Sequence, residues 1–193
     1  MKLLWHHWLI ILISAVIAFG AGTISFDTLS PPIVCGMYTS VLCYLSITDI
    51  RVNLVPNKVV LPALIPSILV FHFGPFGTET GLLPSIVISM SGGAFAMLIA
   101  FLPNLGSRNR LGSGDIKMLG LAGTMVGIGH LPWVLISGAS LTGLIAIALL
   151  ATRKAKLNDT IPMTPFFSGP TVAILVLAPY IPTFYDFIVK IYS

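Results

Sequence analysis

Charge is scarce in this chain. Of its 193 residues only 8% are charged, six of them acids, while 56% are hydrophobic. A soluble domain carries about 25% charged residues, so an ordinary water-solvated globule is excluded. Mean hydropathy is +1.00, and lipid is the natural solvent for such a surface. Cysteine is nearly absent as well. Cys35 and Cys43 share one apolar stretch, form no C-x-x-C pair and have no metal-ligand spacing to histidine. They read as packing residues. A basic stripe interleaved with aromatics is missing too, which excludes nucleic acid as the partner despite a net charge of +4. No internal repeat and no low-complexity segment is found.

What fills the chain instead is apolar. Seven stretches, 3–23, 31–48, 59–73, 82–103, 116–129, 131–152 and 165–185, approach the roughly 20 residues that a membrane-crossing helix needs. They are continuously apolar and do not alternate, which favours helices over a barrel. The expected fold is an all-α, polytopic membrane helix bundle of about seven transmembrane helices. Lys2, Arg51, Lys58, Arg108, Arg110, Lys117, Arg153, Lys154 and Lys156 fall at every second connection, with only Lys190 on the other side. This bias places the N-terminus and the loops 49–58, 104–115 and 153–164 in the cytoplasm. Trp5-His6-His7-Trp8 reads as an interfacial anchor. A cleaved signal peptide with its small residues at Ala18-Phe19-Gly20 is the alternative, although the apolar run is longer than a signal core.

Three cytoplasmic segments hold nearly all the unusual residues. They are Asp49-Ile50-Arg51-Val52-Asn53-Leu54-Val55-Pro56-Asn57, Gly112-Ser113-Gly114-Asp115-Ile116-Lys117 and Ile161-Pro162-Met163-Thr164-Pro165-Phe166-Phe167. Either aspartate alone has an ordinary explanation, Asp115 as a helix cap and Asp49 as a headgroup-level ion pair with Arg51. Their pairing changes the reading. Topology brings both to one membrane face, and ionisable groups at membrane depth are costly and therefore functional. Gly112 and Gly114 leave room for another backbone beside Asp115. The later glycines, Gly120, Gly123, Gly127 and Gly129, are expected to pack helices closely and help the second and fifth stretches bring their acids together. The fifth stretch is also short, about 25 Å against a core of about 30 Å, so Asp115 is expected at or just inside the surface.

Two neighbouring carboxylates share one proton near neutral pH. The ionised member can take a proton from water while its partner hydrogen-bonds a scissile carbonyl and then helps the amine leave. Asp115 opens a helix and Asp49 closes one, so the helix dipoles predict that Asp49 holds the shared proton. Asp159, a third acid of the same face, is the reserve candidate.

The three segments resemble the type IV prepilin peptidase family, bacterial aspartic membrane proteases. The first fits D-x-R-x-x-x-(I/V)-P-N through Asp49, Arg51, Val55, Pro56 and Asn57. The second fits G-x-G-D-x-K through Gly112, Gly114, Asp115 and Lys117. The third looks like I-P-x-x-P-F through Pro162, Pro165 and Phe166, with Thr164 where glycine is common. The resemblance implies that Asp49 and Asp115 are the catalytic pair, with no metal and no organic cofactor. It implies that the N-terminal segment of a prepilin or pseudopilin is cut after a glycine, behind a short basic leader, at the cytoplasmic face of the bacterial inner membrane. The substrate's apolar helix then stays in the bilayer. Arg51 and Lys117 are candidates to hold an acidic residue of the substrate, and the basic face to attract anionic membrane lipids.

The expected division is 1–30, an N-terminal transmembrane helix with an external loop, and 31–193, the membrane-embedded aspartic peptidase domain. The long bacterial form of the family carries paired C-x-x-C motifs in a methyltransferase region. This sequence has none, so cleavage without N-methylation is expected. The presenilin and signal-peptide-peptidase group also uses G-x-G-D, but its P-A-L follows that motif, whereas Pro62-Ala63-Leu64 precedes Asp115 here. A small transporter or proton-coupled carrier is the alternative from another class. Transporter sites lie near the midplane, where these helices carry no charge.

Overall fold

The computed structural model describes residues 5–77, 81–106, 112–153 and 162–192. In lipid a segment must bond its own backbone, and continuously apolar runs do so as helices. In chain order these are α1 (Trp5–Ser25), α2 (Ser30–Val52), α3 (Asn57–Val70), α4 (Leu82–Phe101), α5 (Ser113–Ala151), α6 (Thr164–Val176) and α7 (Phe184–Tyr192). Short turns of helix at Phe71–Phe73, Pro103–Gly106 and Ala178–Tyr180 join them, and no strand occurs among the described residues. Pro31 and Pro165 lie in the first turns of α2 and α6, where a missing N–H costs nothing. Helices α1, α2, α4 and α5 are each long and apolar enough to cross a membrane. The chain is therefore an all-α, multi-pass membrane bundle.

The stretches 116–129 and 131–152 merge into α5, but Gly127 breaks the helix with φ 68° and ψ 171°. That left-handed φ favours glycine. Contacts on either side show that the chain reverses there. The first arm starts beside the loop after α2, with Gly114 against Val55. The second arm starts at the far end, where the Trp133 indole N–H donates to the Pro182 carbonyl at 3.1 Å. It then returns along α6, so that Gly138 lies flat against the Phe167 ring. The expected pair of spans thus exists as a tight hairpin. The expected span 165–185 is corrected. Helix α6 ends at Val176, and the chain bends by 73° before continuing into 178–191. Pro179 and Pro182 interrupt the helix, and Ile181, held extended before a proline, is outside the helical region.

Lipid tails give no hydrophobic drive between helices, so close approach and hydrogen bonds must hold the bundle. The glycines of the first α5 arm supply the approach, but to α4 rather than to α2 as expected. A Cβ on Gly92 would stand 2.5 Å from the Gly123 carbonyl oxygen, and Gly93 and Gly120 meet Thr124 and Met97 equally closely. The Ser91-Gly92-Gly93 run is packing surface within an unbroken helix. A hydroxyl chain then ties four helices together. Tyr38 donates to the Ser67 carbonyl at 2.7 Å, the Ser67 and Thr124 hydroxyls are 2.8 Å apart, and Ser89 donates to the Thr124 carbonyl at 2.7 Å. Each such bond contributes about 0.6–2 kcal/mol in a membrane. Arg51, Lys58, Lys117 and Arg153 stand at one end of the bundle and Lys190 at the other. Lys2, Arg108, Arg110, Lys154, Lys156 and Asp159 lie outside the described residues.

The α4–α5 seam yields a direct test. Gly92→Val should destabilise the detergent-solubilised protein by about 1–3 kcal/mol or more, because backbone cannot move aside. Gly143→Val, where an added Cβ meets nothing within 4 Å, should leave the unfolding midpoint nearly unchanged. Equal midpoints for the two variants would refute the seam.

Candidate functional site

Each motif terminates or starts a helix, and this places its acid. Asn53 caps α2 in the left-handed region (φ 47°, ψ 42°), its N–H donating to the Asp49 carbonyl at 2.8 Å. Asparagine tolerates that conformation. Asp49 therefore lies in the last turn of α2, with 4% of its surface exposed. The chain then extends through Leu54 and Val55 to Pro56, whose carbonyl accepts the Val59 and Val60 N–H groups that open α3. The second motif opens α5 from Gly112. Asp115 is the third helical residue, and its N–H donates to the Gly112 carbonyl at 3.1 Å. A Cβ on Gly112 would stand 3.1 Å from Asp115 Oδ2, so a side chain there would crowd the carboxylate. Gly114 faces Val55, where a Cβ would be 3.0 Å from that of valine. This contact docks the first motif on the second.

The third motif completes the site through its backbone. Helix α6 opens at Thr164 without a side-chain cap from Met163. Asp49 provides one from α2: the Thr164 N–H donates to Asp49 Oδ2 at 3.0 Å. A buried carboxylate thereby gains a donor, and an orphan helix N–H gains an acceptor. The motif pattern gave no sign of this bond, because it is made by a main-chain group. It also changes the expected proton assignment. Asp49 closes α2 but faces the N-terminus of α6, so both acids now meet the positive end of a helix and the dipole argument no longer separates them.

Asp49 and Asp115 line one cavity of about 490 Å³. Of the other expected site residues, Gly112, Gly114, Asn57 and Pro162 share this cavity, together with Asn53, Val55 and Met163. Lys117 stands at its rim, its ammonium donating to Asn57 Oδ1 at 3.0 Å. This bond ties α5 to the start of α3. Arg51 is exposed, is not part of the cavity wall, and makes no hydrogen bond or ion pair among the described residues. Pro165 faces a separate groove between α5 and α6.

With this arrangement established, comparison with known proteins is informative. The sequence profile of the type IV leader peptidase family matches residues 36–148, more than half of the chain. The chain belongs to the type IV leader peptidase family. The matched range includes both aspartates and Lys117 and ends before the third motif. The chain is also similar to a "Prepilin leader peptidase/N-methyltransferase" of Pseudomonas putida, 27% identical over 129 residues. That match covers 66% of this chain and 43% of the relative, so it spans less than half of the relative's length. No solved structure matches.

The Asp49 cap predicts a local effect in this protein. Asp49→Ala should speed amide exchange across 164–168 by about fivefold to thirtyfold, the equivalent of a cap worth about 1–2 kcal/mol. Asp49→Asn, which keeps an acceptor, should change it less. Unchanged exchange in the alanine variant would show that the bond does not hold α6.

Proposed function

We propose that the protein is a membrane aspartic endopeptidase that removes the short basic leader from type IV prepilin or pseudopilin substrates. Cleavage follows a glycine at the cytoplasmic face of a bacterial inner membrane, and the peptidase unit is 31–193. The observation that carries this reading is the convergence of Asp49 and Asp115. Two of the chain's six acids, far apart in sequence, line one cavity at the cationic end of the bundle, Asp49 with a main-chain donor from Thr164. Membership of a leader peptidase family supplies the substrate class.

In this mechanism the pair holds one proton between its carboxyl groups. The ionised member takes a proton from a water whose oxygen attacks the scissile carbonyl carbon. The protonated member hydrogen-bonds the carbonyl oxygen as it becomes negative. Collapse breaks the C–N bond, and the amine leaves with a proton from the pair. Gly112 leaves the Asp115 carboxylate uncrowded for an extended peptide with a small residue before the cut, while Gly114 is packed on Val55. Arg51, exposed and without a bond among the described residues, is the cation offered to an acidic residue of the substrate, while Lys117 is engaged by Asn57. The basic end also meets anionic lipid headgroups. We assign cleavage alone to these residues. Cys35 and Cys43 lie in one helix and both are unpaired, without the C-x-x-C arrangement of the methylating form.

Co-expression with a prepilin-like substrate tests the proposal. The wild type should remove a leader-sized mass. Asp49→Asn and Asp115→Asn should each lower the rate by about 10²–10⁴-fold, the usual contribution of a general acid or base, while remaining membrane-inserted. Wild-type cleavage by either variant would refute the paired-acid mechanism.

A further inference from the structure

A large cavity lies outside the aspartate site. A groove of about 710 Å³ runs between the second arm of α5 and α6. Its walls repeat at helical spacing: Trp133, Ser137 and Leu141 on one side, Pro165, Gly169 and Ala173 on the other. Two turns of contact on each wall correspond to about 12 Å of depth into the bilayer. The bend after α6 closes the far end with Tyr180, Ile181 and Pro182. The Ser137 hydroxyl is bonded within its own helix, so this polar lining group needs no partner from an occupant.

The mouth of the groove lies at the catalytic cavity. Pro162 and Met163 line the cavity, and Pro165 and Phe166, within the next turn of the same segment, line the groove. A chain leaving the cavity toward the lipid therefore meets this groove directly. Its α6 wall is built from small residues. Gly169 and Ala173 are exposed, and a Cβ on Gly169 would meet nothing within 4 Å. Small residues let another helix backbone come close in a membrane, where packing rather than water drives association. A flexible acyl chain needs no such surface.

We propose that this groove seats the apolar helix of the substrate, the part that follows the scissile bond. The proposal rests on the peptidase reading above and extends it. The Asp49–Thr164 hydrogen bond fixes the cavity to the start of α6, so the same contact would set the helix in register with the pair of acids. Recognition is then divided, with the peptide bond presented at the surface and the helix held in the bilayer.

Gly169→Leu starts in open space, since an added Cβ there meets nothing within 4 Å, and so obstructs the groove. Two synthetic substrates would be compared, both with a basic leader and a glycine before the cut. One continues into an apolar helix of about 20 residues, and the other stops short of it. Obstruction should lower kcat/KM for the helix-bearing substrate roughly tenfold more than for the short peptide, mainly through KM. Equal effects on both substrates would overturn the proposal.

A photo-crosslinker placed at Ala173 in the Asp49→Asn variant gives a readout that needs no cleavage. It should capture the helix-bearing substrate, whereas the same group at the exposed Leu83 of α4 should not. Capture of lipid alone at Ala173 would overturn the groove assignment. A wild type that cleaves neither substrate, with crosslinking intact, would overturn the peptidase reading and leave the groove assignment standing.

Discussion

A carboxylate buried at the end of a membrane helix cannot be left without a donor, and most of this architecture answers to that requirement. Asp49 has little contact with water, and the nearest orphan donors available to it are the first N–H groups of α6. Their union fixes where the third motif lies relative to the first. It also settles where α6 enters the bundle, and hence where the groove beside α6 opens. One hydrogen bond thus links helix termination, site geometry and access from the lipid.

The second acid is positioned by a different device. Asp115 rides on the first arm of α5, and that arm is clamped to α4 by glycines that allow backbone-to-backbone contact. The Tyr38–Ser67–Thr124–Ser89 hydroxyl chain stiffens the same region. Gly114 against Val55 and the Lys117–Asn57 hydrogen bond bring the two motifs into direct contact. The pair of acids therefore sits on two rigid supports joined by a small seam. That is how a preorganised site is built when its parts are far apart in sequence.

Much of this was legible in the residues. Continuous apolar runs identify helices because lipid allows little else, and the lysine and arginine bias reveals which ends lie together. The spacing of Asp49, Pro56 and Asn57, and of Gly112, Gly114 and Asp115, carries the site because those residues control helix ends. What stayed hidden was made by groups that sequence does not distinguish. The Thr164 N–H is common to every residue but proline. The partner of the α5 glycines is α4 rather than α2, and glycine spacing names no partner. The bend after Val176 depends on Pro179 and Pro182 acting together within an apolar run that otherwise reads as one span.

The reversal at Gly127 has a consequence for how the protein reaches the membrane. The first arm, 113–126, rises only about 21 Å and is too short to partition into the bilayer as an independent segment. It is expected to enter together with the longer second arm, as one hairpin. The turn at Gly127 thereby leaves both ends of the hairpin, Asp115 among them, on one side of the bundle.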